Sequence, residues 1–170
     1  MSVAAAVRHD KRTRPRNLAG STVVGAAGGL VFAATLVAQN IIRASEPSFA
    51  SGPAKVTSYF LHHRVAALVP LGLFPIGMLA FLVFVAVIWT NAQGREGRFW
   101  ANVGALGATS ISALFALVNV TEIVLTAKAA SLGASRDIVQ ALWAVHAAAF
   151  GLDLAAIAVA LVGLSAAAAS

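Results

Sequence analysis

Four apolar stretches, near residues 18–42, 65–90, 100–127 and 138–165, run through this chain. Each is long enough to cross the hydrocarbon of a bilayer, which takes about 20 residues at about 1.5 Å apiece in a helix. No water reaches backbone N–H and C=O groups in lipid, so a helix is the form such a stretch must take. The pattern predicts an all-α fold: a four-helix transmembrane bundle, up-down-up-down, with short connections making successive spans antiparallel. Composition agrees, since 59% of the 170 residues are hydrophobic and 11% are charged, against about 25% charged in a soluble domain. No cysteine occurs, which excludes disulfides, thiolate metal sites and thiol redox chemistry.

The chain divides into a basic tail (residues 1–17), a transmembrane domain (18–165) and a short C-terminal tail (166–170). The first apolar stretch exceeds the usual signal-peptide core of about 7–15 residues and lacks a small-x-small cleavage site before Arg43, so it is expected to be retained. Much of the net charge of +6 sits in "RHDKRTRPR", residues 8–16. A basic tail beside a lipid-soluble run points to an anionic membrane face and not to nucleic acid. Lys and Arg number seven on the tail side (Arg8, Lys11, Arg12, Arg14, Arg16, Arg95, Arg98) and five on the other (Arg43, Lys55, Arg64, Lys128, Arg136). The bias predicts a plasma-membrane protein with both termini cytoplasmic. Trp89 and Trp100 bracket the second loop at headgroup level, and Gly94 is the expected C-cap of the span before it. In the first loop Val56, Tyr59, Phe60 and His63 recur at helical spacing after Pro53, as in a short helix lying on the outer surface.

Lipid does not drive apolar helices together, so small residues that let backbones approach are the main packing signal. Gly25 and Gly29 form one such pair and Gly104 and Ala108 another; either serves packing within the chain or a dimer face, with Gly25 and Gly29 the candidate homo-oligomer contact. Pro70 and Pro75 each remove a helical hydrogen bond, freeing the carbonyls of Ala66 and Leu71, and a kink is expected there.

The ionisable residues inside the spans carry the functional question. Seven residues turn a helix 700°, so His146 and Asp153 share one face about 10.5 Å apart. Charge facing lipid costs at least about 2.5–3.5 kcal/mol, so that face must turn inward. Counting depth from the outer end brings Asn119, Glu122 and His146 to similar levels, with Gln39, Asn40, His63, Arg64 and Arg136 at the rim. Glu122 is expected to pair with a rim cation or to bond His146. Asp153 lies level with Gly29, Ala80 and Ser112, away from every Lys, Arg and His. A carboxyl so placed is expected to be protonated and to donate a hydrogen bond, with Ser112 as the candidate acceptor.

Two kinds of role follow for Asn119, Glu122, His146 and Asp153. They are polar contacts holding helices together in a structural or accessory membrane component, or the acids and histidine of a small proton-coupled transporter. Metal or haem ligation by His62, His63, His146 and Glu122 is disfavoured, because His62 and His63 point apart and one histidine alone lies within a span. No metal or cofactor is therefore expected. No phosphate loop, paired-histidine metalloprotease motif or nucleophile elbow occurs, so an enzyme is not expected either. The expected partners are membrane lipid, a second copy through Gly25 and Gly29, or an unidentified subunit.

"EPSFASGPAKVTSYFLHHR", a proline and a short Tyr/Phe helix ending in His-Arg, is followed much later by "DIVQALWAVHAAAFGL". Together, over residues 18–165, these resemble multi-pass membrane proteins of actinobacteria that carry no assigned activity. In them an outer loop of this kind precedes the second span and a Leu-Trp pair opens a late one. The resemblance implies an integral membrane location and transfers no site residue.

Overall fold

The structure is a computed structural model that describes residues 18–132 and 135–170. The basic tail, residues 1–17, lies outside them. The described residues form five helices and no strand: α1 (Leu18–Arg43), α2 (Pro53–His62), α3 (Arg64–Asn91), α4 (Gly94–Leu132) and α5 (Arg136–Ala169). All but α2 are long and apolar enough to cross a membrane, the architecture of a multi-pass membrane protein. Leu30, Val65, Leu79, Leu106 and Leu161 are exposed on their outer faces, a surface that needs hydrocarbon around it.

The four spans pair by close backbone approach. A Cβ on Gly163 would strike the backbone of Gly104 and come within 2.9 Å of the Trp100 carbonyl, and one on Gly104 would come within 2.8 Å of the Leu164 nitrogen. Gly107 meets Ala160 in the same way, so α4 and α5 lie backbone to backbone. Gly28 likewise abuts the Ala80 carbonyl and Gly77 abuts Thr35, which draws α1 onto α3. Gly25 and Gly29 face Val87 and Phe84 of α3. The pair thus packs within the chain, the first of the two uses its spacing allowed.

Between the two pairs α3 runs beside α4 and α5, whereas α1 reaches the other pair through side chains alone. Among the described residues no Cα of α1 lies within 8 Å of α4 or α5. The seam is lined by Phe32, Phe74, Phe81 and Phe115, with the Phe74 and Phe115 rings 5.6 Å apart across it. α3 is unbroken through Pro70 and Pro75. Its C-cap is Ala92, whose N–H reaches the Ile88 carbonyl at 3.0 Å, two residues earlier than the cap expected at Gly94. Gly94 instead opens α4 with φ of +66°, the left-handed backbone that glycine adopts without a Cβ clash.

α4 and α5 outrun the apolar stretches that mark them. At 39 residues α4 is about 58 Å long, and it extends about 15 Å past Glu122. α2 folds onto that extension: Val56, Tyr59 and Phe60 are buried against Leu125, Ala129, Val139 and Trp143. The first-loop helix is therefore a cap on the bundle, with its apolar face turned inward.

Candidate functional site

α5 turns one stripe inward, with Val139, Trp143, His146, Ala149, Asp153, Ala156 and Ala160 all buried. The three- and four-residue steps of that stripe place His146 and Asp153 on the inner face, as seven-residue spacing requires. The two residues then belong to different surroundings.

Near the α2 end, Arg43 is the centre of a polar network. Its Nε donates to Glu122 Oε1 and its Nη2 to Glu122 Oε2, both at 3.0 Å. Nη2 also donates to Asn119 Oδ1 at 3.2 Å, and Nη1 to Gln39 Oε1 at 2.9 Å. The Glu122 side chain is wholly buried and that of Arg43 is 8% exposed. A planar guanidinium with several fixed donors suits this two-pronged grip on a carboxylate better than an ammonium would. Asn119 donates in turn to the Phe115 carbonyl at 2.6 Å, and the guanidinium carbon sits 5.1 Å from the Phe115 ring centre.

His146 joins this network at its edge, with Nδ1 3.9 Å from Glu122 Oε1 and 3.2 Å from the Thr121 hydroxyl. The Thr121 hydroxyl donates its one proton to the Val118 carbonyl at 2.7 Å, so its lone pairs face the imidazole and Nδ1–H is the donor. Trp143 stacks on the ring at 4.5 Å. The connection between α1 and α2 then crosses over: the Ser48 carbonyl accepts from Trp143 Nε1 at 3.2 Å, and Phe49 packs on Trp143, His146 and Phe150. An open cleft of about 330 Å³ beside Arg43, Glu46, Phe49 and His146 leads to this network.

Asn119, Glu122 and His146 thus come together as the depth count foresaw. The cation that meets them differs. His63, Arg64 and Arg136 are exposed at the rim, and Arg43, counted in the sequence only as a flank charge, occupies the centre. Gln39 and Arg43, four residues apart on one helix face, were the signal for it. Glu46 is a second residue the sequence did not single out; its carboxylate lies 3.8 Å from Arg43 Nε. Burial, reinforced by the Glu122 charge and opposed by Arg43, pushes the Glu46 carboxyl up to about 8. Glu46, Glu122 and His146 present ligand atoms within 4.8 Å of one another. Both Glu122 oxygens are bound to Arg43, however, so a metal ion would have to compete there with the guanidinium.

The raised Glu46 value carries a pH prediction with a definite sign. A carboxyl that holds its proton more tightly folded than unfolded stabilises the fold fully below its unfolded pKa, and that contribution is lost as pH rises through the folded value. The thermal midpoint in detergent should therefore fall between about pH 4.5 and 8, and Glu46→Gln should flatten that slope. A midpoint that rises across the same window would contradict the placement.

Asp153 stands apart. Its Oδ1 is buried without a hydrogen-bond partner. Ser112 is not the acceptor the sequence suggested: its hydroxyl donates to the Ala108 carbonyl at 2.9 Å and lies 3.1 Å from Met78 Sδ. A helical serine has its own preceding turn within reach, and here that local bond wins. Asp153 instead lines a cavity of about 260 Å³ walled by α1, α3, α4 and α5. Among the described residues lining it none is Lys, Arg or His, and Gln39, bonded to Arg43, is the other polar group with an amide or acid function.

No family model, curated protein or solved structure matches the chain.

Proposed function

We propose that this chain is a small proton-coupled transporter of the plasma membrane, with both termini in the cytoplasm and Asp153 as its working acid. One observation supports the reading above others: a buried acid with an unpartnered carboxyl oxygen stands in the wall of a cavity bounded by all four spans. A side chain that merely holds helices together has a partner on another helix, because an unpaired polar atom in so dry a place costs about 1–3 kcal/mol. Asp153 lacks one among the described residues. Intramembrane acids of that kind mark ion or substrate paths. Gln39 touches both the cavity and Arg43, so the cavity adjoins the network beneath the open cleft. The orientation rests on the Lys and Arg bias of the flanks.

A structural or accessory role is the second reading, and the Arg43 network favours it for its own residues. Glu122, Asn119 and Gln39 all accept from one guanidinium, as a fixed clamp between α1 and α4 would have it.

The chain has no native cysteine, so Asp153→Cys introduces a single thiol. A transport path requires that thiol to react with a small charged thiosulfonate reagent added in water, while Leu154→Cys, exposed on the lipid face, stays inert. If the thiol at position 153 is silent from both sides of the membrane, the transport reading fails and the acid is structural.

A further inference from the structure

We infer that the cavity at Asp153 is a binding site for a compact lipophilic amine, held as its ammonium ion by the carboxylate and by phenylalanine faces. This deepens the transport reading by giving that site a substrate class.

The inventory of the cavity leads to this chemistry. Four phenylalanines, Phe32, Phe74, Phe81 and Phe115, line it together with Met78. Asp153 supplies an acceptor with nothing bonded to it, and the residue is 5% exposed. Arg43, the nearest guanidinium in the network, is spent on Glu122. The complement of such a site is an apolar body carrying one cationic donor. An anion meets a carboxylate and no cation. A neutral alcohol bonds the protonated carboxyl but forms no ion pair with it. A protonated amine does both, and phenylalanine faces add cation–π attraction in a desolvated setting. The volume of about 260 Å³ lies just under the usual ligand range of about 300–1,000 Å³, which sets the size at a single compact hydrocarbon unit. Charge is conserved by exchange: the carboxyl is paired with a proton when the cavity is empty and with the ammonium when it is filled, so one proton leaves for water as one ammonium enters.

The test uses the full chain in detergent with 1-adamantylamine as probe and 1-adamantanol as its neutral isostere, by equilibrium dialysis against empty micelles. Saturable amine binding is expected in the wild type, weakened about tenfold or more in Asp153→Asn, as loss of a hydrogen-bonded charge contact implies. The alcohol should bind more weakly and be indifferent to that substitution. Ile157→Trp, which fills the cavity while keeping Asp153, should also weaken the amine. Equal amine binding in all three proteins, or an alcohol that matches the amine in the wild type, would overturn the inference. In proteoliposomes holding a pH dye, amine entry should move protons outward through the wild type and not through Asp153→Asn. If the amine binds at Asp153 and moves no protons, transport fails and the site stands. If the thiol at position 153 is reachable from water and no amine binds, the amine fails and transport stands.

Discussion

Arg43→Met is expected to destabilise the protein by about 3–5 kcal/mol, the usual cost of leaving a buried carboxylate without its cation. The reason for so large an effect is architectural. α1 approaches α4 and α5 nowhere by backbone, and the guanidinium ties it to Glu122 and Asn119 through three hydrogen bonds. Methionine keeps the apolar stem and removes all three. Pairing it with Glu122→Leu should recover part of the loss, since no buried charge then remains, but only part, because the Gln39 and Asn119 side-chain oxygens still lose their donor. Unfolding by sodium dodecyl sulfate in mixed micelles would measure both. A cost under about 1 kcal/mol for the single change, typical of an exposed ion pair, would show that the network is not sealed from water.

Gly163→Val should be the most damaging change away from the polar residues. A β-carbon there meets the Gly104 backbone and the Trp100 carbonyl, and a backbone cannot swing aside as a side chain can. Overpacking a close contact costs about 1–3 kcal/mol where neighbours can yield; here α4 and α5 must separate along their length, so the loss should reach or exceed the top of that range. Gly151→Ala is the matched control, because nothing lies within 4 Å of its β-position. Alanine there should be neutral or slightly stabilising through helix propensity. If the two substitutions behave alike in the same unfolding assay, the close approach of α4 and α5 is not what holds them.

The spans were legible because hydrocarbon imposes a length and an apolar composition that few soluble sequences meet. Their ends were less so: α4 runs on to Leu132 past Lys128, where α2 and not lipid covers it, and hydropathy is blind to that kind of cover. The inward stripe of α5 followed from residue spacing, and the common level of Asn119, Glu122 and His146 from counting depth along two helices. Arg43 was hidden by depth counting, which treats a residue as sitting at its own Cα, whereas a long side chain at a helix end reaches back along its neighbour. Glu46 was hidden because it lies in a connection whose path no periodicity fixes. The solitude of Asp153 could be read from the levels of the cations; the cavity beside it could not, since empty space arises from how four helices fail to fill a seam.

That seam has a mechanical consequence. Glycine contacts weld α1 to α3 and α4 to α5, while α3 joins the two halves along one side and rings and one guanidinium bridge the other. α1 has no close backbone neighbour on α4 or α5, so that side of the seam can open by side-chain rotation alone, and the void at Asp153, which α1 helps to wall, lies on the line where it would part. Locking the halves with an engineered cross-link over that line would hold the void at one volume, so anything that depends on its breathing should stop while the fold survives.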